Sequence, residues 1–187
     1  MRFMLSERKT AQAAAVLLKA HGRPMSKLVL MKLLYLADRN SLKETGYPIT
    51  GDEPYSLPMG PILSTVLDAI NAKPVPPSFL AVWLEYITAA DGNYIELRTP
   101  DPDTDELSQF ELNVLNGVYT EFGGRSANAL IKYTHDLPEW HDPLGSCIPI
   151  DQAEVLRDAG WSESSIALAE VDAEEHYLFD SVLASTG

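Results

Sequence analysis

Apolar positions along this chain recur mostly at the helical period. Ala14, Leu17 and Leu18 share one face of a helix predicted over residues 7–20, which Gly22 and Pro24 end. Ser26 caps a longer pattern, SKLVLMKLLYLADRNSLKETG, where Leu30, Leu33, Leu34, Ala37 and Leu42 keep the 3.6-residue spacing and Gly46 stands just past the helix end. A third helix is predicted in PILSTVLDAINA, with Pro61 in its first turn, where a missing N–H costs nothing, and KPVPPS breaks it. AVWLEYITAADGNYIELRT reads as a β-hairpin near residues 82–98, with β-formers on both sides of an Asp91-Gly92 turn. After the polar loop PDPDTDE, helical spacing returns at Ser108–Phe122 and, behind the cap Ser126, at Ala127–Tyr133. The irregular stretch THDLPEWHDPLGSCIPI leads to two last helical patterns, 151–159 and 162–184. The expected class is mainly α (α+β), a single compact helical domain with one small antiparallel hairpin.

Composition narrows the function classes. No apolar run approaches the ~20 residues that span a bilayer. The opening MRFMLSERKTAQAAAVLL is interrupted by Glu7, Lys9 and Gln12 and shows no cleavage site, so it reads as an amphipathic helix and not as a signal peptide. Cys147 is the sole cysteine, which excludes an intramolecular disulfide and cysteine-based zinc cages, and a reducing cytoplasm is the expected location. The formal charge of −13 argues against broad nucleic-acid binding. The charge is uneven: residues 1–50 carry nine Lys/Arg against three Asp/Glu, and residues 51–187 carry five against twenty-four. An acidic surface of this kind either keeps the protein in solution or meets a basic partner, such as a protein that itself binds RNA or DNA.

The chemical motifs name no reaction. His135, Asp136, His141 and Asp142 are metal-ligand types, but the H-x5-H spacing does not put both imidazoles on one helix face, and Pro138 makes the segment irregular. A Cys147–His135 nucleophilic pair is set against the ordinary role of a lone cysteine in packing. GPILST lacks the lysine of a phosphate loop, and EFGGRS lies between helices, where Gly123-Gly124 stops one of them. The connection between the second and third helices is too long for a helix-turn-helix. No nucleophile–base–orienter set, metal site or cofactor motif is legible, which shifts weight toward a binding protein.

The segment MKLLYLADRNSLKETGYPITGDEPYSLPMGPILSTVLDAI resembles the hallmark of the Panacea domain, the SocA-like antitoxin family. Lys32, Leu33, Leu34, Tyr35, Ala37 and Asp38 match its helix ending. Gly46, Pro48, Ile49, Thr50, Gly51 and Asp52 match its G-x-P-I-T-G-D turn. Gly60, Pro61, Ile62 and Ser64 match the start of the next element. LIKYTHDLPEW resembles a later family segment through Leu130, Thr134, His135 and Trp140, and the preceding DELSQFELNVLNGVYTEFGGRSANAL fits the helix before it. The likeness places a Panacea-like domain at residues 1–142 and leaves 143–187 as an acidic helical C-terminal extension packed on the same domain. It implies the antitoxin of a type II toxin–antitoxin pair, with no catalytic activity, which neutralises a cognate toxin, encoded in the same operon, by protein–protein contact. Such domains also occur in phage-associated proteins, and one relative delivers its toxin to a cytoplasmic protease.

Physical reasoning adds candidate contacts. Pro48, Pro54, Pro58 and Pro61 stiffen the connection between the second and third helices, so Tyr47, Asp52 and Tyr55 would meet a toxin at little ordering cost. Glu170, Glu174 and Glu175, on the last predicted helix, are candidates for covering a basic active site. The alternative for the loop is that it packs the domain, with its tyrosines on the core. Trp140 is expected in the core and His135 bonded to a turn backbone. Two other readings stand beside the antitoxin: a hydrolase using Asp38, Asp52 and His135, and a DNA-binding autoregulator using Arg2, Arg8, Lys9, Lys19, Arg23 and Lys27.

Overall fold

The structure is a computed structural model that describes residues 1–88 and 92–186. Eight helices and five short strands are found among the described residues. At the centre lies helix α2 (Lys27–Thr45), buried on nearly every side from Val29 to Arg39. Helix α1 (Glu7–His21) packs against α2, α4 (Pro77–Tyr86) and α5 (Gln109–Phe122), and its Ala11, Ala13, Ala14 and Ala15 are all fully buried; such small side chains let helix backbones approach closely. Helices α3 (Ser64–Ile70), α4, α5 and α6 (Ala127–His135) complete this shell, which closes over one core that includes Phe79, Trp83, Leu115, Phe122 and Leu130. Helix α7 (Gln152–Asp158) and the long α8 (Glu163–Thr186) build a second, smaller cluster with Leu42, Ala153, Val155, Leu156 and Ile166. No described helix is long and apolar enough to cross a membrane.

The expected mainly α class is what the chain adopts, with two local differences. The segment predicted as the first hairpin strand begins as helix α4, because Phe79, Trp83 and Tyr86 are spaced for one helix face and all three are buried. The antiparallel crossing itself is present but starts later. Arg98 N–H donates to Tyr86 O (2.8 Å), Thr88 N–H donates to Glu96 O (2.9 Å), and Ile87 bridges Leu97. Asp91 of the predicted turn lies outside the described residues. Strand β4 (Tyr94–Ile95) then pairs with β1 (Met25–Ser26).

The second difference concerns Pro61. It lies not in a first helical turn but in strand β3 (Gly60–Leu63), paired antiparallel with β2 (Pro54–Leu57) across the tight connection Pro58-Met59. Proline removes no ladder hydrogen bond when its N position faces away from the partner strand, and a hairpin this short tolerates it. Strand β5 (Ile148–Pro149) adds to the other side of β2.

The polar loop before α5 is pinned from the core side. Buried Gln12 donates to Asp105 Oδ1 (2.5 Å) and Tyr86 OH (3.1 Å) and accepts from Glu106 N–H (3.0 Å), so its amide is fully used. Ser108 and Glu111 then close a reciprocal cap at the start of α5, and Lys9 pairs with Glu111 at 2.9 Å.

The N-terminal segment runs over the loop that follows α2. Ser6 N–H donates to Thr50 O at 2.9 Å, and the chain passes so close to Gly51 that a Cβ there would collide with the Met4 carbonyl oxygen. Gly51 also has φ +71°. Gly51→Ala is therefore expected to lower stability by about 2 kcal/mol or more, from left-handed strain plus the clash. Gly22→Ala, at φ +68° with open space around it, should cost only about 1 kcal/mol. Urea midpoints of the two variants measure the difference.

Candidate functional site

Lys32, Asp38 and Arg39 of α2 point inward, and each finds its partner in a different part of the chain. Lys32 is 1% exposed; its Nζ donates to Pro61 O at 2.7 Å. Burial pulls its pKa down to about 7. The backbone of Gly60, at φ +90°, fits against this amine: a Cβ there would lie 2.8 Å from Lys32 Nζ and 2.7 Å from Thr134 Oγ1. Only glycine allows the hairpin to sit so close to both α2 and α6.

Asp38 holds the loop after α2. It accepts from Ile49 N–H (3.1 Å) and Thr50 N–H (3.0 Å) and also from the Thr50 hydroxyl. Burial pushes its pKa up to about 7, against those donors, which favour the carboxylate. Thr50 Oγ1 in turn accepts from Asp52 N–H at 3.1 Å. Asp52 completes the chain of contacts by accepting from Thr65 N–H (3.1 Å) and Val66 N–H (3.0 Å), the free donors at the start of α3. Burial raises the Asp52 pKa as well. The two carboxylates face a small cavity that Tyr35, Arg39 and Pro48 help to line.

Arg39 and Glu139 were not singled out from sequence, yet they form the most buried ion pair among the described residues. Arg39 Nε lies 2.7 Å from Glu139 Oε1, and Tyr35 OH donates to the same oxygen at 2.7 Å. A second guanidinium nitrogen reaches Glu139 Oε2 (3.2 Å) and Asp158 (2.7 Å) at the end of α7. Periodicity reads charged residues as surface, so the pair left no separate signal there. Its only hint was that Arg39 and Glu139 each adjoin a motif residue, Asp38 and Trp140.

His135 and Trp140 lie face to face, ring centroids 3.9 Å apart and 12° from parallel. Trp140 is half-buried and donates from Nε1 to Leu57 O at 3.1 Å, which holds the β2–β3 hairpin against the end of α6. The expected backbone bond of His135 is not formed: its Nε2 is buried with no hydrogen-bond partner. Of the remaining motif residues, Gly46 ends α2 with its N–H on Leu42 O (2.8 Å), and Ser64 N–H donates to Glu53 O (3.0 Å) as α3 begins.

The candidate contact residues fall in three places. Asp52 was expected at the surface and is instead 4% exposed, because its carboxylate serves α3. Tyr55 is half-buried on β2, with its hydroxyl 3.3 Å from Glu53. Tyr47 lies under α8: its hydroxyl donates to Asp172 and contacts His176 Nδ1 (3.0 Å), and Phe3 meets its ring edge-on. That burial and the bond to Asp172 raise its pKa to about 12, so it stays a phenol. Glu170 and Glu175 are exposed on α8, and Glu174 lies 3.9 Å from Arg2. Tyr47 thus meets the helix that carries the three glutamates. His141 bonds Glu154 (3.0 Å), and Cys147 is exposed. Among the described residues no three His, Cys, Asp or Glu side chains converge as a metal site would require.

A closely packed central helix tied by buried polar contacts to one loop, one hairpin and one helix end is the arrangement of a protein whose motif residues specify a scaffold. The family model for "Antitoxin SocA-like, Panacea domain" matches residues 30–141, from the buried part of α2 to just past Trp140. The chain belongs to that antitoxin family. No curated protein and no solved structure matches it.

Two measurements check this account. Because folded Lys32 has a pKa below its ordinary value, the unfolded chain binds more protons between pH 7 and 10.5. Stability contributed through Lys32 therefore rises with pH across that window and is flat below it. The melting temperature of the wild type should climb from pH 7.5 to 9.5 relative to Lys32→Met, which removes the titrating group. Glu139→Ala should cost about 3–5 kcal/mol by stranding Arg39, and Arg39→Met with Glu139→Leu should recover much of that loss.

Proposed function

We propose that this protein is an antitoxin that neutralises a cognate toxin, encoded beside it, by direct protein–protein binding. Family membership across residues 30–141 carries the reading. The chemistry of the site supports it. Asp38 and Asp52, the carboxylates a hydrolase would need, are occupied by backbone N–H groups of their own chain. His135 is stacked on Trp140 at the far end of the hairpin. Polar groups spent on the scaffold leave partner recognition to the surface.

That surface favours a basic partner. Residues 101–187 hold eighteen Asp/Glu and three Lys/Arg. A toxin that acts on RNA or on a nucleotide needs a basic active site, and an acidic surface would cover it or steer the encounter. The same charge weighs against DNA-binding autoregulation, and several of the basic residues that reading would use are already paired: Arg8 with Asp103 (3.0 Å), and Lys9 with Glu111 (2.9 Å).

Co-expression with the adjacent gene should restore growth, and the two proteins should co-purify. Growth restored without a stable complex would remove direct binding and favour delivery to a protease or enzymatic reversal. The association rate should fall steeply as salt shortens the Debye length from ~30 Å at 0.01 M to ~10 Å at 0.1 M. A rate insensitive to salt would show that the acidic surface does not guide the encounter.

A further inference from the structure

Helix α8 has two apolar faces. Ile166, Ala169 and Ala173 form one, and the first and last of these are 2% and 1% exposed where the helix meets the body of the protein. The other faces away. At 3.6 residues per turn, Leu168, Val171, Leu178 and Phe179 fall within an arc of about 100° opposite the buried stripe. They are 71%, 58%, 54% and 64% exposed. Scattered apolar residues on a surface need no explanation, but four large ones aligned along one helix make a patch of the kind that meets a partner.

The geometry points to this outward face of α8 as the element that docks the toxin, helix into groove, on a surface that is apolar at its centre and basic at its rim. Charge identifies the occupant. Glu175 lies within the apolar arc, Glu170 and Glu174 flank one side of it, and Asp172 flanks the other. No lysine or arginine follows Arg157 in the chain. A second copy laid on this face would oppose carboxylates to carboxylates, and Arg2, the cation beside Glu174, is already engaged there, whereas a lysine- or arginine-rimmed groove complements both the stripe and its edges. The stripe also continues onto the body: an open groove beside it is lined by Tyr47, Trp161, Leu168 and Val171. Trp161 is held there by its Nε1 bond to Lys43 O at 2.9 Å, so the floor of the groove is rigid before any partner arrives.

This assignment rests on the antitoxin reading and names the surface that performs it. The test uses the full chain and the purified product of the adjacent gene. Leu168→Ser with Phe179→Ser should leave the melting temperature nearly unchanged, since both side chains are exposed, and should raise the Kd roughly tenfold or more. Glu170→Lys with Glu175→Lys should slow association and flatten its dependence on salt. A wild-type complex whose Kd is the same for the serine variant overturns the α8 surface and leaves the antitoxin reading intact. Absence of any wild-type complex overturns both. A protein that sediments as a dimer, and as a monomer once the serines are introduced, assigns the stripe to a second copy and overturns the toxin as its occupant.

Discussion

A helix buried on all sides cannot carry lysine, aspartate and arginine unless each is given a partner, because an unpaired buried charge costs far more than a hydrogen bond returns. Helix α2 carries all three on adjoining turns. Lys32 claims a carbonyl of the β2–β3 hairpin, Asp38 claims the backbone of the loop after α2, and Arg39 claims Glu139 beyond α6. Three separate segments are thereby fixed against one helix. The other motif features follow from these demands: a residue without a side chain where the hairpin meets the lysine, a threonine that relays between two aspartates, and a tryptophan that clamps the hairpin from outside.

Much of this was legible before any coordinates. The apolar period located α1, α2, α5, α6, α7 and α8, because each buries a face, the first four on the main core and the last two on the smaller cluster. It failed at Phe79–Tyr86, where aromatic residues favour strands in isolation but fit a helix once Pro77 starts one and the core receives Phe79 and Trp83. It failed again at Pro61, whose place depends on pairing with Ser56 and not on local preference. Family motifs marked the polar residues of the site but not their purpose. Asp52 has the look of a surface residue in a loop, and only its distance to the start of α3 shows that it caps a helix thirteen residues away. Glu139 was invisible for the same reason: its partner is 100 residues distant.

Beyond residue 141, where the family match ends, the chain doubles back on what precedes it. Asp158 reaches Arg39, Trp161 reaches the carbonyl of Lys43, and Tyr47 reaches Asp172. The N-terminal segment is held in the same layer through Phe3 and through Arg2, whose guanidinium lies 4.1 Å from the Tyr177 ring centre. The recurring motif loop is thus roofed by the two ends of the chain.

The 100-residue separation of Arg39 and Glu139 has a bearing on synthesis. A ribosome adding roughly 5–20 residues per second leaves α2 without its counter-charge for about 5–20 s. During that interval the nascent chain carries its central helix with a cation exposed and the core incomplete. Completion waits for Glu139 beyond α6, and the last guanidinium contact waits for Asp158. Every molecule therefore passes through a period in which its core is incomplete and its finished surface has not yet formed.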